Sequence, residues 1–427
     1  MITLCVNPIL FSSHNDNRIL KVYSLRVIHA RTAPAAILAI LILIAPRALA
    51  SNITSEADLY AAYNAARTDF ASIQTDDKPP LDVSGRIQFR YQYNERDSAP
   101  PALGSDNTTL GFMNRRVNLF VNGKVTDSIS FKSDFTVVAG TGDLSLEYAF
   151  ATWKLSDELS IAFGALRAHV LREEYTSASR QLGVERSPAN ETLNQDFTNG
   201  IELTFTQDRW RIFLSINDGV NSELTFFNST READYAFSAR VEARFFDAPW
   251  SSYKQFTSFR GANNGLLLGL AAHHQSSGET NITALPRTEL TIITTDASWV
   301  SDGWNAAAVL TYWRTSSDSL TKNLDNFVTN LQGGFFVSEK TELYTRFSMI
   351  FPDDDNTAPR TEDFKALMFG FNHYLIPESH AAKFTCEVMF ALDPTTTSNV
   401  ATSAGFNLLP DMGAGQLALT AQMQLLF

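Results

Sequence analysis

From Leu81 to the last residue of the chain, apolar and polar residues alternate with a period of two. Val83, Ile87, Phe89, Tyr91 and Tyr93 interleave with Ser84, Arg86, Gln88, Arg90 and Gln92. In the final segment Leu417, Leu419, Ala421, Met423, Leu425 and Phe427 share one face, while Gln416, Ala418, Thr420, Gln422 and Gln424 share the other. That period belongs to a β-strand. A soluble edge strand of this kind, unblunted by Lys or Pro, would template aggregation. A closed barrel in a membrane removes the edge, turning the apolar face to lipid and the glutamines to a wet lumen.

Counting segments with this pattern gives sixteen strands, near residues 83–93, 116–122, 129–137, 144–154, 159–166, 200–205, 210–217 and 235–245 in the first half. The second half supplies 265–274, 289–299, 304–314, 326–337, 342–350, 365–374, 383–391 and 416–427. Tight turns near Val125, Ser156, Thr206, Ser301, Ser338 and Pro377 alternate with long connections at 94–110, 167–199 and 393–415. Short periplasmic turns and longer outer loops produce this asymmetry in outer-membrane barrels. One connection breaks the rule: residues 246–264 fall where a turn is due. The pattern predicts an all-β fold, a sixteen-stranded antiparallel transmembrane β-barrel over residues 81–427. A soluble β-sandwich array is its rival.

The first 80 residues read differently. Residues 33–50 look like the core of a secretory signal: Arg26, His29 and Arg31 flank an apolar run ended by Pro46, and Ala48-Leu49-Ala50 gives a small-x-small cleavage pattern. The basic stretch before it is long, as an over-extended start would make it, so residues 1–50 are excluded from the fold. In residues 55–73, Leu59, Tyr63, Ala66, Phe70 and Ile73 recur at helical spacing, with Ser55 as a candidate cap. This predicts a short N-terminal helix, either an arm packed on the barrel or a brief coiled coil. The run Asp76-Asp77-Lys78-Pro79-Pro80 then forms a stiff linker.

Composition narrows the class. The chain of 427 residues is 44% apolar and 19% charged, and beyond residue 50 no run approaches the roughly 20 apolar residues of a spanning helix. The net charge is −12, and residues 1–50 carry five of the basic side chains against Asp16 alone, so the remainder is more acidic still. Such a chain is a poor nucleic-acid binder. Two cysteines, Cys5 and Cys386, exclude a disulfide framework.

The connection at 167–199 is the best candidate for function, since ordered loops of this length are usually functional. Its apolar anchors Val170, Leu171, Tyr175, Leu182 and Val184 predict that it packs, and the available interior is the lumen. Folded inward, it would narrow a channel that sixteen strands leave wide and aqueous.

The run Leu146-Glu-Tyr-Ala-Phe-Ala-Thr-Trp-Lys-Leu-Ser-Asp-Glu-Leu-Ser-Ile-Ala-Phe-Gly-Ala-Leu-Arg167, with Val184-Glu185-Arg186-Ser187 and the terminal Phe427, resembles the phosphate-selective porin O/P family. It departs from the family at Gly164-Ala165-Leu166-Arg167, where Gly-Gln-Phe-Lys is frequent. The resemblance implies a trimeric sixteen-stranded outer-membrane porin whose third loop folds into the pore, and a terminal Phe read by the barrel-assembly machinery.

Polar-face positions hold Arg86, Arg90, Arg116, Lys132, Arg211, Arg240, Arg244 and Arg346 against Asp134, Glu147, Glu202, Glu242, Glu342 and Glu387. Basic groups gathered in a low-dielectric channel attract anions. A weakly anion- or phosphate-preferring diffusion pore is therefore expected, with Arg86, Arg90, Arg116, Lys132, Arg172, Arg180 and Arg186 as candidate pore-lining residues. A pore with balanced wall charge is the plain alternative. Partners would be small hydrophilic solutes or anions, outer-membrane lipid and two further copies; no cofactor or metal is expected. Asp353-Asp354-Asp355-Asn356 lacks the spacing and the Gly of a calcium loop. His273 and His274, being adjacent, face opposite sides of a strand. With no nucleophile elbow, H-E-x-x-H or P-loop, a plugged barrel hydrolase or a structural barrel remains the rival class.

Overall fold

The computed structural model describes residues 5–11, 20–26 and 81–427, except 104–105, 139, 194, 223, 226, 228, 279–285, 357–359 and 403–404. Cys5–Phe11 and Leu20–Arg26 pair as an antiparallel ribbon, a unit separate from the remainder. The helix expected at 55–73 and the linker after it lie outside the described residues.

The main unit is a closed antiparallel barrel of sixteen strands. Its first half comprises β1 (Asp82–Glu95), β2 (Thr108–Lys124), β3 (Ile129–Val137), β4 (Leu144–Lys154), β5 (Leu159–Leu166), β6 (Thr198–Thr206), β7 (Trp210–Asn217) and β8 (Tyr235–Phe246). The second half comprises β9 (Gly265–Ser277), β10 (Thr288–Ser301), β11 (Trp304–Ser317), β12 (Leu324–Phe336), β13 (Thr341–Phe351), β14 (Phe364–Tyr374), β15 (Ala382–Ala391) and β16 (Leu417–Leu426). Each strand pairs with its sequence neighbours, and β16 closes on β1. Several strands outrun the sequence estimate, above all β2, which begins at Thr108 instead of Arg116.

The alternation sorts side chains in the sense opposite to a soluble protein. On β1, Arg86, Gln88, Arg90, Gln92 and Asn94 point inward and are buried, whereas Phe89 is 45% exposed. Phe112 and Leu270 are likewise open on the outer surface. This is the arrangement that a hydrocarbon surround stabilises and water does not. Among the described residues no helix is long and apolar enough to cross a membrane; the strands do the crossing.

The chain end seals the barrel seam. Gly85 N–H donates to the Phe427 carbonyl (2.6 Å), and Phe427 N–H donates to the Gly85 carbonyl (3.1 Å). A Cβ on residue 85 would sit 2.6 Å from the Phe427 ring, so a larger residue there would push the terminal ring aside. Deleting Phe427 removes two ladder bonds at about 1 kcal/mol each. The expected result is a lower thermal midpoint for the heat-modifiable folded band in detergent; an unchanged midpoint would show that the seam does not depend on this residue.

Three connections fill the interior: L3 (residues 167–197, between β5 and β6), T4 (247–264, between β8 and β9) and L8 (392–416, between β15 and β16). Sequence reasoning placed only L3 there. Leu171, Val184, Ala189 and Leu193 of L3 and Val400, Phe406 and Leu408 of L8 pack against inward Val328, Ile350, Phe364, Met368 and Met389. This apolar core lies inside the barrel, against β12–β15. T4, the connection too long for a turn, enters from the opposite end. Its Phe256 clusters with Leu182 of L3 and inward Tyr344, and its Thr257 hydroxyl meets Tyr374 (2.7 Å) and Glu342 (3.2 Å).

Candidate functional site

L3 is first tied to itself. Ser187 caps the short helix Pro188–Thr192 by accepting from Asn190 N–H (3.1 Å), with proline at its first position. The Glu173 carboxylate accepts from the Ser187 N–H and hydroxyl, both at 2.6 Å. Arg186 donates to the carbonyls of Glu173 and Glu174, each at 3.0 Å. An internally bonded loop of this kind offsets its ordering entropy with local contacts and holds one shape.

The wall then fixes L3 in place. Glu185 accepts from Arg90 (2.5 Å), Arg115 (2.6 Å) and Arg116 (2.6 Å). Two adjacent arginines of one strand reach the same carboxylate because the β1–β2 register shifts between Gln88 and Phe89, leaving Arg115 as the extra residue of a bulge. Burial by itself would raise the Glu185 carboxyl, but Arg116, Arg90 and Arg115 outweigh it and hold it well below the usual carboxylate range. From the far wall Arg346 donates to the Glu185 carbonyl (2.9 Å) and to the Glu173 carboxylate (3.0 Å). Lys383, Asn372 and Gln424 bind the carbonyls of Gln181, Leu182 and Ser179 at 3.2, 2.9 and 3.1 Å. Arg172 of L3 donates to the Tyr253 carbonyl of T4 (2.9 Å) and to Ser298. Phe256 N–H of T4 donates back to the Arg180 carbonyl (3.1 Å).

The seven candidate cations therefore have different surroundings. Arg86 is buried on Asn118 (2.8 Å) and lies over the Phe120 ring. Arg90, Arg116, Arg172 and Arg186 are engaged in the bonds that position L3. Lys132, inward on β3, and Arg180, on L3, are exposed and carry no side-chain ion pair among the described residues. Sequence reasoning did not select Arg211 or Lys254 with them. Arg211 is inward on β7, stacked over Trp250 at 4.2 Å with Glu242 at 3.8 Å. Lys254 is exposed on T4, and partial desolvation together with Arg211, Lys132 and Arg180 pushes it below the usual lysine value. The four cations thus border one stretch of lumen. The signals for the missed pair were available: Arg211 falls on the polar face of its strand, and Lys254 lies in the connection whose length broke the turn rule.

This stretch runs along β2–β7, whose inward side chains are mostly half-exposed, unlike those of β12–β15. A cavity of about 480 Å³ opens at its periplasmic end, lined by Lys124, Ser130, Thr152, Lys154, Ser160 and Thr206 among others. Near the head of L3 the charges are mixed. Asp134 accepts from Asn118 (2.8 Å), and Arg167 covers the Phe197 ring at 4.1 Å. The other constellations are internally satisfied. His273 is buried between the Ser238 hydroxyl (2.9 Å) and the Gln275 side-chain carbonyl (3.0 Å). Asp355 pairs with Lys322 (2.8 Å), and Asp353 accepts backbone N–H groups of Asp325 and Asp355, both at 2.7 Å.

A closed sixteen-stranded barrel narrowed by an inward third loop is the architecture of an outer-membrane porin. The chain belongs to the phosphate-selective porin O and P family, whose sequence model matches residues 83–312, more than half its length. No curated protein matches it. Among solved structures it is similar to OmpT of Vibrio cholerae, at 11% identity over 83% of this chain and 100% of that one, with a TM-score of 0.55. The anion-selective porin from Comamonas acidovorans aligns at 12% identity over 82% and 100%, with a TM-score of 0.54. The channel DcaP of Acinetobacter baumannii aligns at 11% over 82% and 99%, with a TM-score of 0.53. At such identities these likenesses speak to the fold. The protein is a porin of the bacterial outer membrane, a channel in class.

Proposed function

We propose that this porin passes small hydrophilic solutes by passive diffusion, with a preference for anions, and catalyses no reaction. The observation that carries the reading is the basic stretch of lumen: Lys132, Arg180 and Lys254 stand exposed, without ion pairs among the described residues, beside Arg211. Fixed positive charge in a narrow, low-dielectric passage raises the local anion concentration and lowers that of cations. Arg86, Arg90, Arg116, Arg172 and Arg186 contribute mainly by holding the loop that shapes the passage.

The anion-selective porin of Comamonas acidovorans shares the fold, and OmpT of Vibrio cholerae is known in a trimer form. A homotrimer is the assembly proposed here, embedded in outer-membrane lipid and inserted by machinery that reads Phe427. Residues 1–50 are assigned as a cleaved leader and 51–80 as a periplasmic arm and linker. The test is planar-bilayer recording of the purified protein in a KCl gradient. Chloride-favouring reversal potentials and conductance steps in threes are expected; a potassium-favouring potential would sink the anion reading and leave the porin.

A further inference from the structure

The interior of a membrane barrel is ordinarily polar, and the inward apolar residues of β12–β15 respect that rule by being covered. L3 and L8 lie over them, and Phe364, Met368 and Met389 are almost inaccessible. Two inward rings are treated differently. Phe120 on β2 and Phe150 on β4 are each only half-buried. Their inward direction follows from register: Phe120 pairs with Asp134, and Phe150 pairs with Lys132. Lys132 is thus the direct cross-strand neighbour of Phe150 and the diagonal neighbour of Phe120. Directly opposed side chains have Cβ atoms about 5 Å apart. A free ammonium and a half-open ring are presented side by side, between two strands, at the edge of the basic stretch.

Chloride or phosphate gains nothing from such rings, and wetting them has a cost. A solute whose carboxylate is attached directly to an aromatic ring matches both elements at this spacing. Its anionic end meets Lys132, with Arg180, Arg211 and Lys254 within electrostatic reach, and its ring meets Phe150 or the part of Phe120 that Arg86 leaves uncovered. The Arg211 guanidinium, planar and resting over the Trp250 ring, offers a fork suited to a bidentate carboxylate. We infer that this stretch of lumen is a binding site for small aromatic carboxylates, which the channel takes in preference to inorganic anions of equal charge. The inference rests on the anion-channel reading and adds the class of solute.

The test is block of the chloride current through single channels by benzoate, acetate, inorganic phosphate and benzyl alcohol, each added at one concentration series. Benzoate is expected to block about fivefold more tightly than acetate, the size of one favourable ring contact, with benzyl alcohol weakest. In F150A and F120A the benzoate-to-acetate ratio should fall towards one, and K132Q should weaken benzoate. F150L keeps the bulk and serves if the alanine form does not fold; it too should lose the ratio. Equal block by benzoate and acetate, or block by phosphate or benzyl alcohol as tight as by benzoate, in a channel that still favours chloride, would overturn the inference alone. A potassium-favouring channel without benzoate preference would overturn both readings.

Discussion

Replacing Glu185 with alanine is expected to release the constriction loop, raising single-channel conductance severalfold and lowering the stability of the folded barrel. Glu185 is 2% exposed, and its carboxylate is the meeting point of Arg90, Arg115 and Arg116. Removing one partner of a buried ion pair leaves an uncompensated charge and typically costs about 3–5 kcal/mol. Here three cations lose their shared partner. Arg90 keeps the carbonyls of Gly405 (2.6 Å) and Val184 (3.3 Å), so part of its donor capacity stays satisfied. The cheapest relief is for L3 to leave the wall, because the arginines can then be solvated. E185Q retains the shape and loses the charge, and should lie between the two. Conductance in 1 M KCl and the thermal midpoint in detergent check this; a variant unchanged in both would show that the arginine cluster does not hold the loop.

The same group sets one part of the acid response. The folded-state pKa of Glu185 is depressed, so its contribution is complete above the unfolded carboxylate value of about 4.3 and is lost only as pH falls through the lower folded value. The hold of Glu185 on the loop should therefore persist from neutral pH down to about pH 4.5. Any change of conductance within that range falls to Glu191 of the same loop, whose carboxyl burial pushes up to about 7.

The barrel was legible because a period of two, repeated over sixteen segments, fits few structures besides a closed sheet, and the terminal strand carried it without a break. The packing of L3 was legible from its anchors: Val170, Leu171, Leu182 and Val184 are all buried. What stayed hidden is whatever depends on partners distant in sequence. Arg86, Arg90 and Lys132 look alike on a strand's polar face. Glu185 engages Arg90 from a loop that only the fold brings near, while no ion pair reaches Lys132 among the described residues. Arg115 precedes the strand as read from the sequence at 116–122, and only the bulge in the longer β2 brings it inward beside Arg116. L8 carries Val400, Phe406 and Leu408 too sparsely to announce an inward path, and they find their core only beside L3. T4 was conspicuous by length, yet its destination required Tyr374, Glu342 and Arg172, which come from three other parts of the chain.

Reversing the charge at Lys132, Arg180 and Lys254 together, as K132E/R180E/K254E, should turn the channel from chloride-favouring to potassium-favouring. Each change moves two units of charge, and none of the three side chains holds the loop, so the shape of the passage is retained. At 0.1 M salt the Debye length is about 10 Å, comparable with the separation of groups that perturb one another, so the four cations act as one field. Single reversals should shift the permeability ratio modestly, and the triple change should carry it through unity, leaving Arg211 half-compensated by Glu242 as the lone cation of the four. Screening makes a second demand: at 1 M salt the Debye length falls to about 3 Å, and the wild-type preference should fade while the conductance remains. Reversal potentials in KCl gradients at low and high salt read both effects. A triple variant that still favours chloride would move the selectivity elsewhere, to the mixed zone at the head of L3, where Arg86 and Arg167 would have to outweigh Asp134 for anions to pass.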